Sequence, residues 1–143
     1  MNTFYRITDI AQRTGLSAHT LRYYERIGLM DVVARKNGHR VYSDDDVRWL
    51  EFVLRLRSTG MSIARMLRYA ELRRLGETLE SVHGRREMLI EHARHVCEEM
   101  AALSGHLSVL NDKIERYTDI ESRLNHEKDA QNDHPKLNPT RHS

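Results

Sequence analysis

The 143-residue chain is 31% charged and 6% aromatic with a net charge of +2, a balance that favours helices lined by Leu, Ile, Val and Met over strands. It has no apolar run near the roughly 20 residues of a membrane-crossing helix, no apolar leader in Met1-Asn2-Thr3-Phe4-Tyr5-Arg6, and a single cysteine, which excludes an intrachain disulfide. The expectation is a cytoplasmic protein without membrane contact, whose residues 1–75 (14 Lys/Arg against 8 Asp/Glu) suit a polyanion and whose residues 76–143 (9 against 13) do not.

The first helix is predicted over residues 8–14, with Ile10 and Ala11 inward, and Gly15 supplies the positive φ of a tight turn. Ser17 is a good N-cap for a second helix over 18–27, which Gly28 ends. Leu21, Tyr24 and Ile27 form its apolar stripe. Next, Asn37-Gly38 lies between two short β-capable runs, the strongest short signal for a hairpin with a type I′ turn. Ser43 caps a third helix, with Asp44, Asp45 and Asp46 in its first turn, where carboxylates complement the helix dipole. Val47, Leu50, Phe52, Val53 and Leu54 give that helix a buried face, and Gly60 ends it. Ser62 caps a fourth helix reaching about residue 75, with Ile63, Met66, Leu67 and Ala70 inward.

From Thr78 the pattern becomes a heptad. Leu79, Val82, Arg86, Leu89, Ala93, Val96, Met100, Leu103, Leu107, Leu110, Ile114 and Tyr117 recur in steps of 3 and 4, and only Arg86 among them is polar. A stripe sustained this long is a coiled-coil seam. A lone helix cannot bury its own stripe, so the seam predicts a homodimer, with Leu89, Ala93, Val96, Met100, Leu103, Leu107, Leu110, Ile114 and Tyr117 at the interface. The expected fold is therefore mainly α: a winged helix-turn-helix head over residues 1–76, a long antiparallel coiled-coil dimerisation helix over 77–120, and a polar, disordered tail over 121–143, which holds both prolines.

A basic-sided helix after a Gly turn, followed at once by a basic hairpin, is how a winged helix-turn-helix meets a duplex. The second helix exposes Ser17, His19, Thr20, Arg22, Tyr23 and Arg26, and the hairpin carries Arg35, Lys36, His39 and Arg40, suited to phosphate or minor-groove contact. Tyr24, by its spacing, belongs to the core rather than to DNA. Arg48, Arg55 and Arg57 are read as the polar face of the third helix. The stretch Tyr5-Arg6-Ile7 … Gly15-Leu16-Ser17-Ala18-His19-Thr20-Leu21-Arg22-Tyr23-Tyr24-Glu25-Arg26-Ile27-Gly28-Leu29 resembles the signature of MerR-type regulators. So do Asn37-Gly38-His39-Arg40-Val41-Tyr42-Ser43 and Leu56-Arg57-Ser58-Thr59-Gly60-Met61-Ser62-Ile63, and the resemblance extends over residues 5 to about 118. It implies a dimer that binds an inverted repeat in double-stranded promoter DNA whose two recognition elements are set too far apart. An effector makes the dimer bend and untwist that DNA, so that RNA polymerase engages both elements. By the family pattern Thr20 and Arg22 approach bases, Arg40 lies along the wing, Tyr42 braces it, and the amide end of the fourth helix at Ser62 meets a phosphate.

The signal is not legible. Metal-sensing relatives use two or more cysteines near the ends of the dimer helix, whereas Cys97 stands alone, at an e position beside Arg94 and His95. Some aldehyde- and electrophile-responsive relatives carry a reactive cysteine in the third helix, where this chain has Val53-Leu54-Arg55. Cys97 is the one sensor candidate, set against a plainer reading as a small residue at a helix interface. His92 and His95, and the tail histidines His126, His134 and His142, read as polar surface rather than metal ligands, so no metal and no cofactor are expected. With no Gly-rich phosphate loop, no nucleophile elbow and no carboxylate pair tied to a pocket, an enzyme is not expected. Two readings remain: a regulator answering an unidentified small molecule or stress, and an architectural DNA-binding protein with no effector.

Overall fold

A computed structural model of the protein describes residues 3–133. Chain order is β1 (Phe4–Arg6), α1 (Ile7–Thr14), α2 (Ala18–Arg26), β2 (Arg35–Lys36), β3 (His39–Ser43), α3 (Asp44–Ser58), α4 (Ile63–Arg74) and α5 (Leu79–Asp133). The chain divides into two compact units, with the division between Val96 and Cys97.

In the first unit the local signals act where the sequence places them. Gly15 closes α1 at φ 75° and donates its N–H to Ala11. Ser17 caps α2 by accepting from the Thr20 N–H at 3.1 Å. Asn37 and Gly38 hold φ of 55° and 79°, the pair of positive values a type I′ turn needs, and β2 pairs antiparallel with β3 through Arg35–Arg40 and Lys36–His39. Ser43 and Asp46 form a reciprocal capping box at the start of α3.

The three-stranded sheet has the order β1-β3-β2, with Tyr5 opposite Tyr42. Strand β1 was not expected. Around the sheet and helices the core gathers Ile10, Leu21, Tyr24, Leu29, Tyr42, Leu50 and Val53. Trp49 adds a second focus: its indole N–H donates to the Leu29 carbonyl at 2.9 Å, one ring face stacks on Tyr69, and the Arg73 guanidinium lies 4.3 Å from its centroid.

Four expectations are corrected. Trp49, Leu56, Tyr69 and Leu72 belong to the core, while Ile63 is 44% exposed at the first position of α4. Phe52, Leu54 and Leu67 are only half-buried. His92 is not a free surface group, because its Nε2 lies 2.7 Å from Thr59 Oγ1 at the end of α3. Finally, α5 continues to Asp133, so residues 121–133 are helical rather than an irregular tail, and 134–143 lie outside the described residues.

The start of α5 is fixed to α4. Ser81 is fully buried and its hydroxyl donates to the Leu72 carbonyl, which also accepts from the Leu75 N–H at the C-terminal end of α4. Gly84 faces the Leu72 side chain so closely that an added Cβ would lie 2.9 Å from Cδ1. In the second unit no such cover exists: Met100, Leu103, Leu107, Leu110, Ile114 and Tyr117 are each 57–66% exposed.

Candidate nucleic-acid interface

Helix α2 sorts its side chains by face. Leu21 and Tyr24 are buried, whereas His19, Arg22, Tyr23 and Arg26 are exposed. The Tyr24 hydroxyl accepts from Arg57 at 3.0 Å, which ties α2 to α3 and places Tyr24 in the core, as its spacing indicates. Tyr23 stays on the surface with the Arg26 guanidinium 5.6 Å from its centroid. Ser17 and Thr20 spend their hydroxyls partly on one another, 3.0 Å apart, at the amino end of the helix. Ser62 likewise caps α4, accepting from the Arg65 N–H.

The wing presents Lys36 and His39 at its tip, both exposed. Arg35 reaches across the turn to the Gly38 carbonyl at 3.5 Å. Arg40 is drawn back from the tip: its Nε donates to Glu25 Oε2 of α2 at 2.7 Å. Tyr42, two residues further on the same side of β3, is only 1% exposed. It lies under the surface, out of reach of a duplex and in the place of a support for the wing. Burial pushes the Tyr42 phenol up from its ordinary pKa of 10.0; Glu25 and Asp46 add to the rise, and Arg40 and Arg22 oppose it.

These elements enclose one basic concavity. A cavity of about 310 Å³ opens between the start of α1, helix α2 and the wing, lined by Arg6, Ile7, Thr8, Arg22, Arg35, Gly38, His39 and Arg40. Of the sequence-predicted contact residues it gathers Arg22, Arg35, His39 and Arg40. Ser17, His19, Thr20, Tyr23, Arg26, Lys36 and Ser62 are not part of its lining. Arg6 was missed by the sequence reading; a lone basic residue before a helix carries no signal until β1 pairs with β3 and brings it beside the wing. Four guanidiniums and an imidazole around one hollow form a site for an anionic backbone, with no acid or nucleophile set for bond-breaking chemistry.

Cys97 is a free, exposed thiol. Among the described residues no group of three or more His, Cys, Asp and Glu is placed to hold a metal ion. Nor is any helix among them long and apolar enough to cross a membrane.

A winged helix-turn-helix head followed by one long helix defines a class of transcription regulators. Residues 5–73 match the MerR HTH family of regulatory proteins. The chain is 38% identical over 93 residues to the HTH-type transcriptional regulator AdhR of Bacillus subtilis, a match covering 64% of this chain and 65% of that protein, just under two thirds. It is 32% identical over 114 residues to an uncharacterised HTH-type transcriptional regulator of Haemophilus influenzae, covering 79% of this chain and 83% of the relative. Among solved structures it is similar to a putative MerR family regulator from Listeria monocytogenes, at 30% identity and a TM-score of 0.79 over 90% of this chain and 96% of that one. It is also similar to HiNmlR, a MerR family regulator lacking the sensor domain, solved bound to promoter DNA, at 30% identity and a TM-score of 0.74 over 84% and 94%. The chain belongs to the MerR family of helix-turn-helix regulatory proteins. It is a transcription regulator, not an enzyme.

Proposed function

We propose that the protein acts in the cytoplasm as a homodimer that binds an inverted repeat within a promoter and changes the shape of that DNA in response to a small-molecule or stress signal. The observation that carries this reading is the basic hollow shared by α2 and the wing, with Arg22 and His39 exposed on its walls. Helix α2 enters the major groove, where Thr20 and Arg22 approach base edges. Lys36, His39, Arg26 and Tyr23 take backbone phosphates, as does the amide end of α4 at Ser62. The solved complex of HiNmlR with promoter DNA supports the same docking here. The exposed seam of α5 supplies the dimer contact, which sets two heads on the two halves of the repeat. RNA polymerase is reached indirectly, through the shape of the promoter.

A DNase footprint across promoter DNA, with the polymerase elements mapped, tests this. A symmetric footprint over an over-long spacer, hypersensitive at its centre, is the expected result. Extended protection without central distortion, on a spacer of ordinary length, favours an architectural protein instead, and no protection at all removes the DNA-binding reading.

A further inference from the structure

Among the acidic neighbours of the basic hollow, Asp9 is bonded to the Arg6 N–H at the start of α1, and Glu25 faces the wing. Glu25 lies on α2 three residues from Arg22, one helical turn along, and its side chain is only 10% exposed. A carboxylate this close to a phosphate-binding face repels the polyanion it must accept, so its presence needs a compensating role. The geometry supplies one. Glu25 Oε2 accepts from Arg40 Nε at 2.7 Å, and the Arg40 side chain is 21% exposed, so the pair is largely shielded from water. Arg40 is at the base of the two-residue turn of the wing and pairs directly with Arg35 across β2 and β3. The wing joins the head through the chain at its two ends and the short β1 ladder, and its tip residues 34–39 are all exposed. Among the described residues, the Glu25–Arg40 bond is the polar side-chain tie between the reading helix and the wing.

We propose that Glu25 is a positioning residue for operator recognition: through Arg40 it fixes the wing at one angle to α2, so that both elements meet their parts of the duplex together. This rests on the DNA-binding function proposed above and deepens it. Arg40 then contributes less as a phosphate contact than as the far end of this brace, with Tyr42 packed beneath both.

Two effects of removing the Glu25 charge have opposite signs, which makes the idea testable. As a mere negative charge, Glu25 weakens binding to every duplex, and Glu25→Gln strengthens binding to all sequences while steepening the salt dependence. As a positioning residue, Glu25→Gln weakens binding to the operator and leaves binding to unrelated DNA unchanged or stronger. The probe is a duplex enriched from a random-sequence pool by the wild-type protein, compared with a scrambled duplex over a salt series. Loss of about tenfold or more in operator affinity with no loss on the scrambled duplex is expected. Glu25→Asp, which keeps the charge and withdraws it by one methylene, is expected to lose operator affinity with an unchanged salt slope. Equal or stronger operator binding by Glu25→Gln, or full operator affinity in Glu25→Asp, overturns the proposal. Failure of the wild-type protein to enrich any sequence overturns instead the DNA-binding reading on which it stands.

Discussion

Arg22 and Arg40 are both arginines on the same hollow, yet they are differently committed. The Arg40 guanidinium is engaged by Glu25, whereas Arg22 is exposed and has no hydrogen-bonding or ion-pair partner among the described residues. Its donors are therefore available to a guanine edge or a phosphate. Arg22→Ala is expected to cost about 1–3 kcal/mol of operator binding and to relax discrimination at one base pair. A gel-shift comparison of matched and singly mismatched duplexes checks it; unchanged affinity removes Arg22 from recognition. Tyr42 carries a different kind of prediction. Its hydroxyl is buried and makes no hydrogen bond to any described group, and its pKa, like that of Tyr69, is raised by burial. Below pH 10.0 the phenol is neutral in both folded and unfolded chains, and the shift has no effect. As pH rises past that value the unfolded chain gives up the proton first, so the folded head loses stability until the raised native pKa is passed. Tyr42→Phe removes the titrating group and leaves no partner unpaired, so its melting temperature is expected to fall less steeply above pH 10. Parallel melting curves for the two proteins from about pH 8.5 to 11 refute this.

At the scale of elements, the two glycines of α5 are not equivalent. A Cβ at Gly105 meets nothing within 4 Å, and the residue falls at an f position, opposite the seam. Gly105→Ala is expected to stabilise the helix by up to about 1 kcal/mol, read as a higher melting temperature. At Gly84 the Leu72 methyls are 2.9 and 3.2 Å from the same hypothetical atom. Gly84→Val is expected to lower stability by about 1–3 kcal/mol, since overpacking a contact already closed outweighs the gain from removing glycine. If Gly84→Val melts at or above the wild-type temperature, α4 and α5 are not closely packed there. The same contrast explains what could be read in advance. Caps, the Asn37-Gly38 turn and the Gly15 stop are local, each decided by residues within a few positions, and they were legible. Strand β1 is three residues long and exists only because β3, far along the chain, pairs with it. Ile63 looked inward by composition, but it sits in the first turn of α4, outside the cover of its neighbours. Trp49 was missed because the burial of its indole depends on distant groups, the Leu29 carbonyl and the Tyr69 ring, rather than on the spacing within α3. The end of α5 was placed too early because the apolar seam and the helix were treated as one. Residues 121–133 lack the seam but hold helix formers such as Glu121, Leu124, Lys128, Ala130 and Gln131, with Arg123 and Glu127 spaced i, i+4. Within the site, Arg22 and the wing residues could be named from their order. The Glu25–Arg40 tie could not, because it joins residues 15 apart whose approach depends on the wing folding back.

For the whole molecule the deciding feature is the uncovered seam of residues 100–117. Six large apolar side chains at heptad spacing, each more than half exposed, form a patch that a soluble chain does not leave in water without a partner of the same pattern. A second copy of α5 offers that pattern, and Leu103 lies in the middle of it. In the proposed dimer, Glu there places a charge in the apolar seam of both copies, and each is desolvated on association. Because each 1.4 kcal/mol is a tenfold change, Leu103→Glu is expected to raise the dimer dissociation constant by at least about a hundredfold, seen as a monomer by analytical ultracentrifugation. The head is built from residues before Val96 and does not depend on Leu103, so its circular dichroism and melting behaviour should persist. Operator affinity should nevertheless collapse, because two heads held on two half-sites bind far more tightly than one. A Leu103→Glu variant that is still dimeric places the contact elsewhere. A monomeric variant that retains full operator affinity means that one head suffices, and the inverted-repeat reading fails with it.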